Sequence, residues 1–264
     1  MSFKVEDKIV VVTGGSSGIG YESVKLFLAQ GAKVAWCGRN IEKLQKSFDH
    51  LKDSYDESRM LAVPCDVLST NEVSSFIEKV VDTFGGIDML VNNAGQGMVA
   101  DFFNTKEEDW FYEVRLKTLS VVNLTKAALP YLRKSSIASI TNVNSLLALK
   151  PERHMVATSA ARAGLLNLSK NLANELIEDS IRVNSILIGL VDSGQWRRRY
   201  ENRSDKSQTW EQWIAKVVGK KEIPINRLGR PEEAAYALMF LASPLSSYTT
   251  GSTIDVSGGL SKEI

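Results

Sequence analysis

Residues 9–20 read IVVVTGGSSGIG, an apolar run that passes directly into a glycine-rich turn, and an amphipathic pattern over Tyr21–Gln30 follows at once. A continuously apolar strand is typical of a parallel sheet that helices cover on both faces. Glycines between a first strand and a first helix let the backbone approach a pyrophosphate, which then lies at the positive end of the helix. The stretch therefore predicts an α/β fold that binds a dinucleotide.

Outward from this stretch, short apolar runs alternate with longer amphipathic segments along the chain. The alternation predicts a doubly wound, Rossmann-type parallel sheet of seven strands with helices on both faces. Because no repeat or low-complexity linker interrupts it, we expect residues 1–264 to form a single domain. The predicted strands are Lys8–Thr13, Lys33–Cys37, Met60–Cys65, Asp88–Val91, Ser139–Val143, Arg182–Ile188 and Ser252–Val256. The predicted helices are Tyr21–Gln30, Ile41–Lys52, Asn71–Phe84, Glu107–Lys134, Met155–Glu178 and Pro231–Ala242.

Residues 192–224 interrupt the alternation of predicted strands and helices, because this segment is polar and rich in arginine and tryptophan. It contains Trp196, Trp210 and Trp213, and it follows the sixth predicted strand. A long segment at the carboxyl end of a strand in such a sheet predicts a substrate lid. The alternative is a solvated pair of helices whose tryptophans pack inward.

Composition excludes several classes of protein. The net charge of +1 gives no overall field that favours nucleic acid or an anionic membrane. No apolar run approaches the ~20 residues that a membrane span requires. Cys37 and Cys65 have no metal-like spacing and lie in apolar runs, so we interpret them as small buried hydrophobes in a reducing compartment. We expect a cytoplasmic protein with a small-molecule substrate, no metal, and neither nucleic acid nor membrane as a partner.

Four motifs spread over nearly the whole chain resemble a known family. They are TGGSSGIG at residues 13–20, CDV at 65–67, LVNNAG at 90–95 and DVSGG at 255–259. Together they resemble the short-chain dehydrogenases/reductases, which bind a nicotinamide dinucleotide on a Rossmann-type sheet. The resemblance also implies a homotetramer. It implies a cofactor site built from Gly14, Ser16, Ser17, Gly18, Ile19, Gly20, Arg39, Asn40, Asp66, Val67, Asn93, Ala94, Gly95, Arg162, Gly189, Val191 and Ser193.

The end of the second predicted strand indicates which dinucleotide binds. Relatives that use NAD place an acidic residue there to accept from the ribose 2′-hydroxyl, and this chain has Gly38 followed by Arg39. A guanidinium suits a 2′-phosphate by charge and by bidentate geometry. Many NADP-binding relatives have a second basic residue inside the glycine turn, where this chain has Ser17. The pattern favours NADPH/NADP+ as the cofactor.

The catalytic positions depart from the family. Its usual tetrad is Asn, Ser, Tyr and Lys, and Ser145 matches the serine. Counting 13 residues onward reaches Thr158 where the tyrosine is expected, and four residues further stands Arg162 in place of the lysine. Lys117 occupies the asparagine position, and no tyrosine lies between Tyr131 and Tyr200. The resemblance therefore implies a site of Ser145, Thr158, Arg162 and Lys117.

Two interpretations of this altered site are open. An aliphatic hydroxyl such as that of Thr158 is too weak an acid for the role of tyrosine, and Arg162 stays protonated. In the first interpretation Arg162 and Ser145 stabilise a developing alkoxide. The proton donor is then Lys117, its pKa lowered if Arg162 is near, or else His154. In the second, the protein binds NADP(H) without hydride chemistry, as a dinucleotide sensor or an inactive partner subunit.

The loop after the sixth predicted strand favours the first interpretation, and the non-catalytic protein stays the alternative. This loop keeps Gly189, Val191 and Ser193 in the pattern that holds a nicotinamide, although Ile188 replaces the family's proline and Ser193 its threonine. A protein that bound only the adenosine half of the dinucleotide would not need residues that hold the nicotinamide. The sequence thus predicts an NADPH-dependent oxidoreductase that reduces a carbonyl of a small, apolar or aromatic substrate.

Overall fold

The computed structural model describes residues 3–262, in which seven strands form one parallel sheet. They are β1 (Ile9–Thr13), β2 (Lys33–Gly38), β3 (Met60–Pro64), β4 (Met89–Asn92), β5 (Ser139–Ser145), β6 (Arg182–Ile188) and β7 (Thr253–Val256). Their order is β3-β2-β1-β4-β5-β6-β7. The sheet therefore extends in both directions from the pair β1 and β4. In open α/β sheets, the crevice at the carboxyl ends of such a pair is where ligands bind.

Helices cover both faces of the sheet. The structure has α1 (Gly18–Ala29), α2 (Ile41–Lys52), α3 (Thr70–Phe84), α4 (Glu107–Val114), α5 (Ser120–Leu132), α6 (Val156–Glu175), α7 (Gly194–Glu201), α8 (Trp210–Lys221) and α9 (Pro231–Ala242). One core lies between the sheet and α1, α2 and α9, and it includes Phe27 and Leu238. The other lies between the sheet and α3, α5 and α6, and it includes Phe76 and Leu124. The doubly wound architecture with two covered faces is confirmed.

The predicted helix Glu107–Lys134 is not continuous. It consists of α4 and α5 joined by a π-helical turn, Arg115–Leu119, and it ends at Leu132. A π turn inserts a residue into the helical repeat, and such turns occur often at functional sites. Lys117 lies in the middle of this turn with its side chain 1% exposed. The turn thus places a lysine in the interior, where a regular amphipathic helix has apolar side chains.

Residues 192–224 contain α7 and α8, which pack on each other through aromatic rings. Trp213 contacts Trp196, Tyr200 and Trp210 with ring centroids 5.7–6.0 Å apart. A capping box between Thr209 and Gln212 starts α8. The helix pair that the sequence left as an alternative is therefore present, and it lies beside the carboxyl edge of the sheet. Among residues 3–262, none of the helices combines the length and the apolar character needed to cross a bilayer.

Candidate active site

An open cavity of about 1030 Å³ runs along the carboxyl edge of the sheet. It extends from the glycine-rich turn after β1 to α7 and α8, and its polar and apolar walls include the ends of β2, β5 and β6. This volume lies at the upper end of the range of small-molecule and cofactor sites, about 300–1,000 Å³. Within the described residues, no cluster of three His, Cys, Asp or Glu side chains could hold a metal ion.

The glycine turn forms a cradle for an anion at the start of α1. Gly14 and Gly18 have positive φ angles of 67° and 58°, and a Cβ atom on Gly18 would meet nothing within 4 Å. Ser17 caps α1 without a side-chain hydrogen bond, and the first turn contains no acidic residue. The amide groups at this helix end are therefore free to bind a pyrophosphate. The residues present fit a dinucleotide.

One end of the cavity, which we call the basic end, is lined by Arg39, Asn40 and Lys43. Asn40 caps α2 by accepting a hydrogen bond from the backbone amide of Lys43 at 2.8 Å. A Cβ atom on Gly38 would lie only 3.2 Å from Ser16 Oγ, so the acidic residue of NAD-binding relatives has little room here. Lys43 was not predicted from the sequence. The sequence feature that could have indicated Lys43 is its position, four residues after Arg39 and at the start of a predicted helix.

Most of the predicted cofactor residues line the cavity, and three do not. Gly20 packs against the turn, because a Cβ atom there would lie 2.3 Å from the Gly14 oxygen. Asp66 accepts from the Leu68 amide at 3.0 Å, and Val191 forms a backbone bridge with Gly229. The predicted residues that line the cavity are Gly14, Ser16, Ser17, Gly18, Ile19, Arg39, Asn40, Val67, Asn93, Ala94, Gly95, Arg162, Gly189 and Ser193.

Cys37 and Cys65 are buried free thiols at the ends of β2 and β3, and both also line the cavity.

Ser145, Thr158 and Arg162 line the cavity away from the basic end. Ser145 lies at the last position of β5, where its hydroxyl accepts from the Leu147 amide at 3.3 Å. Thr158 and Arg162 lie one turn apart on α6. The structure thus brings together three of the four predicted catalytic residues.

Lys117, the fourth, lies behind the cavity wall and not on it. Its Nζ donates to the Gln96 carbonyl at 2.6 Å and to Glu113 Oε1 at 3.1 Å. Burial and, to a smaller extent, the positive charge of Arg162 lower the pKa of Lys117 to about 8, against the opposing effect of the Glu113 carboxylate. The lysine is therefore an acid that titrates near neutral pH.

Arg162 is buried with few compensating partners. Its Nη1 donates to the Val143 carbonyl at 2.6 Å, and its Nε has no hydrogen-bond partner. Burial lowers the pKa of Arg162 to about 10, against the attraction of Glu113, so the guanidinium stays charged at neutral pH. A Cβ atom on Gly95 would lie 3.6 Å from Arg162 Nη2 and 3.8 Å from Lys117 Cδ. The two cations therefore approach each other beneath Gly95.

Glu113 is a residue of this site that sequence reasoning missed. Its carboxylate is 1% exposed, and its Oε2 accepts from the Thr158 hydroxyl at 2.6 Å. Thr158 Oγ1 also accepts from the Met98 amide at 3.0 Å. The only signal in the sequence is the spacing of four residues between Glu113 and Lys117 on a helix.

His154 lies at the cavity mouth, with 51% of its side chain exposed. It pairs with Glu152 at 3.0 Å, and Glu152 also pairs with Lys221 of α8 at 2.6 Å. The histidine is therefore held by a carboxylate near solvent, whereas Lys117 is enclosed.

The predicted lid segment, residues 192–224, lines the cavity opposite the basic end with Trp196, Arg198 and Arg199. The Arg199 guanidinium lies 4.7 Å from the centre of the Trp196 ring, and burial lowers the pKa of Arg199. Gln195 donates to the Gly97 carbonyl at 3.0 Å and so fastens α7 to the loop after β4.

Comparison with known proteins places this geometry in a family. Residues 14–261 match the family model described as enoyl-(acyl carrier protein) reductase. A 3-oxoacyl-[acyl-carrier-protein] reductase of Thermotoga maritima is 32% identical over 260 residues, which cover 97% of this chain and 99% of that protein.

Solved structures resemble the chain over nearly its whole length. A short-chain oxidoreductase from Pseudomonas aeruginosa PAO1, described as containing an atypical catalytic center, is 51% identical with a TM-score of 0.95, covering 98% of this chain and 99% of that one. Its NADPH-bound form has a TM-score of 0.93 and covers 97% and 98% of the two chains. L-sorbose reductase from Gluconobacter frateurii, complexed with NADPH and L-sorbose, is 32% identical with a TM-score of 0.94 and full coverage of both chains.

Proposed function

The chain belongs to the short-chain dehydrogenase/reductase family, and from that premise we propose that it is an NADPH-dependent oxidoreductase that reduces a carbonyl group without the family's catalytic tyrosine. The observation that carries the proposal is the convergence of Ser145, Thr158 and Arg162 on one cavity whose other end is basic. The substrate is small and apolar or aromatic, since Trp196 of the lid segment faces the same cavity.

NADPH is the proposed cofactor for two reasons. Arg39 and Lys43 lie together at the basic end, where a 2′-phosphate would bind. The similar proteins from P. aeruginosa and G. frateurii have been solved with NADPH. The glycine turn would hold the pyrophosphate, and Gly189 and Ser193 would border the nicotinamide.

When bound, NADPH supplies a hydride. In the proposed reaction Arg162 and Ser145 orient the carbonyl oxygen and stabilise the alkoxide, as donors of an oxyanion hole do. Lys117 is the proton source, because its pKa of about 8 keeps it mostly protonated at neutral pH. Thr158 cannot be that source by itself, since an aliphatic hydroxyl gives up its proton only when another group replaces it.

The test is NADPH consumption by the purified protein with a panel of ketones, quinones, aldehydes and acyl thioesters. Turnover of a panel member establishes the reductase, and Arg162→Met should then lower kcat by roughly 100-fold, as loss of an oxyanion donor does. An unchanged kcat in this variant would exclude the role given to Arg162.

A second candidate is a non-catalytic NADP(H)-binding protein, either a sensor or an inactive partner subunit. The observation that favours it is the position of Lys117 behind the cavity wall. Such a protein should bind NADPH and NADP+ with clearly different affinities and consume neither. Tight NADPH binding with no turnover of any panel member would support it over the reductase.

Assembly as a homotetramer is part of the proposal. The family resemblance implies subunit contacts through the long helices, which are α4, α5 and α6 here. Phe111, Val114 and Leu119 are exposed apolar side chains on the run from α4 to α5. Light scattering should give four times the monomer mass of 29.2 kDa. A monomer at micromolar concentration would refute this part.

A further inference from the structure

Four ionisable side chains meet where the predicted lid segment borders the cavity, and we call them the Glu152 cluster. Glu152 pairs with His154 at 3.0 Å and with Lys221 of α8 at 2.6 Å. It also attracts the Arg199 guanidinium of α7. All four residues line the cavity. One carboxylate is therefore shared by two permanent cations and a histidine.

This end of the cavity is short of negative charge. Within the described part of the chain, Glu152 is the one carboxylate among the residues that line the cavity. The same lining also includes Lys150, Arg198 and Lys220. Lys150 donates to the Leu260 carbonyl at 3.0 Å, whereas Arg198 and Lys220 have no carboxylate within ion-pair distance among residues 3–262. The whole chain has a net charge of only +1, so positive charge is concentrated around this cavity.

Arg199 is the member of the cluster without a bonded partner. Its guanidinium lies 4.7 Å from the centre of the Trp196 ring, and within residues 3–262 it has neither a hydrogen-bond acceptor nor a carboxylate at ion-pair distance. The side chain is half-buried, and burial lowers its pKa. Taking a guanidinium out of water is unfavourable unless an anion or other acceptors replace the water. An anionic ligand would supply them, and Trp196 would contact its apolar part.

The phosphates of NADPH have other places to bind. The basic end, with Arg39 and Lys43, fits the 2′-phosphate, and the start of α1 fits the pyrophosphate. The Glu152 cluster lies opposite the basic end. Its excess positive charge is therefore available to the second ligand of the cavity, the substrate.

We propose that the substrate is an apolar or aromatic carbonyl compound that carries an anionic group, a carboxylate or a phosphate, and that Arg199 binds this group. The inference rests on the proposed function, since it names the substrate class of that reaction. Glu152 and His154 precede α6, whereas Arg162 lies six residues after its first residue, Val156, or about 9 Å along the helix axis. The anionic group is therefore several bonds away from the carbonyl that is reduced.

The first test measures binding without turnover. Calorimetric titration of the NADP+ complex, which has no hydride to transfer, compares 4-acetylbenzoate and 4-acetylphenyl phosphate with the uncharged methyl 4-acetylbenzoate. The wild type should bind at least one of the anions at least about tenfold more tightly than the ester, because the ester cannot form the charge-assisted hydrogen bond. The tighter of the two anions shows whether the site prefers a carboxylate or a phosphate. Equal affinity for all three compounds, or no measurable binding of any, would overturn the proposal.

Variants then assign the preference to Arg199. Arg199→Met should weaken the preferred anion at least about tenfold and leave the affinities for the ester and for NADPH within twofold. Arg199→Lys keeps the charge and should retain part of the anion affinity. The matched control is Lys216→Met, which removes an exposed cation of α8 that does not line the cavity, and it should bind like the wild type. Unchanged anion affinity in Arg199→Met contradicts the assignment, and a tenfold loss of NADPH affinity would give this arginine to the cofactor instead.

Turnover separates this proposal from the proposed function. With NADPH, the wild type should reduce the preferred anion with a kcat/KM at least about tenfold above that of the ester, and Arg199→Met should raise KM while kcat stays within twofold. Reduction of ester and anion with equal kcat/KM would exclude the anion site and leave the reductase in place. Preferential binding of the anion with no reduction of any carbonyl compound would defeat the reductase and leave the anion site in place.

Discussion

Replacement of Arg39 and Lys43 by methionine should convert a strong preference for NADPH over NADH into a weak one. Both side chains line the basic end of the cavity and both are exposed. Lys43 lies in the first turn of α2, where the helix dipole disfavours a cation. Its removal therefore costs the helix nothing, and an effect on binding can be assigned to the lost charge. Methionine keeps the length of both stems and removes only the charge and the donors.

The expected magnitude follows from the contacts that a 2′-phosphate would make. A hydrogen bond to a charged group contributes about 1.5–3 kcal/mol, and exposure here puts each contact at the lower limit. About 1.4 kcal/mol corresponds to a tenfold change in Kd. Each single variant should therefore weaken NADPH about tenfold and the double variant about 100-fold. NADH lacks the phosphate, so its Kd should change less than twofold.

The assay is fluorescence titration of both reduced dinucleotides at two ionic strengths. The wild-type preference for NADPH should shrink as salt rises, because exposed charges are screened. Lys46→Met is the matched control, an exposed lysine on α2 that does not line the cavity, and it should bind both dinucleotides like the wild type. If the ratio of NADPH to NADH affinity in the double variant equals that of the wild type, the 2′-phosphate does not bind at the basic end.

Three further predictions concern other parts of the molecule. Carbonyl reduction should fall about tenfold per pH unit above pH 8, where Lys117 loses its proton, and His154→Asn should leave this pH–rate profile in place. Arg182→Met should destabilise the fold by about 3–5 kcal/mol in urea unfolding, because the buried guanidinium donates to the carbonyls of Leu241, Ala242, Ser243 and Ser246 at the end of α9; a change below 1 kcal/mol would contradict it. Trp213→Ala removes the ring that contacts three others in the lid segment, so hydrogen exchange in α7 should accelerate while exchange in β5 does not.

The fold could be predicted because its signals are local. The apolar run of β1 and the glycines after it specify a strand, a turn and a helix within residues 9–29, and the same alternation recurs along the chain. The π turn at Arg115–Leu119 could not be predicted in this way. Its sequence continues an ordinary helical pattern, and only the structure shows the wider turn, from which Lys117 contacts Glu113 and Gln96.

The sequence predicted the site residues that occupy known motif positions. It missed the residue that reaches the site through a contact between distant parts of the chain. Ser145, Thr158 and Arg162 follow from counting along the chain, and the structure brings them to one cavity. The sequence predicted a lowered pKa for Lys117 if Arg162 lies near it. In the structure Arg162 does lower the pKa of Lys117, and burial lowers it more. Glu113 was missed, because its bond to Thr158 joins residues 45 positions apart and no local pattern reports such a contact.

Hydride transfer at this site can be followed with NADPH that carries deuterium at the transferable C4 position. The protein is incubated with this cofactor and a carbonyl substrate from the panel, and the product is analysed by mass spectrometry and NMR. We expect one deuterium on the new carbinol carbon of the wild-type product. In Lys117→Met the rate of product formation at pH 7 should be lower by at least about tenfold. Tight binding of the labelled cofactor with no deuterium in any product, or equal label transfer by the Lys117 variant, would contradict this expectation.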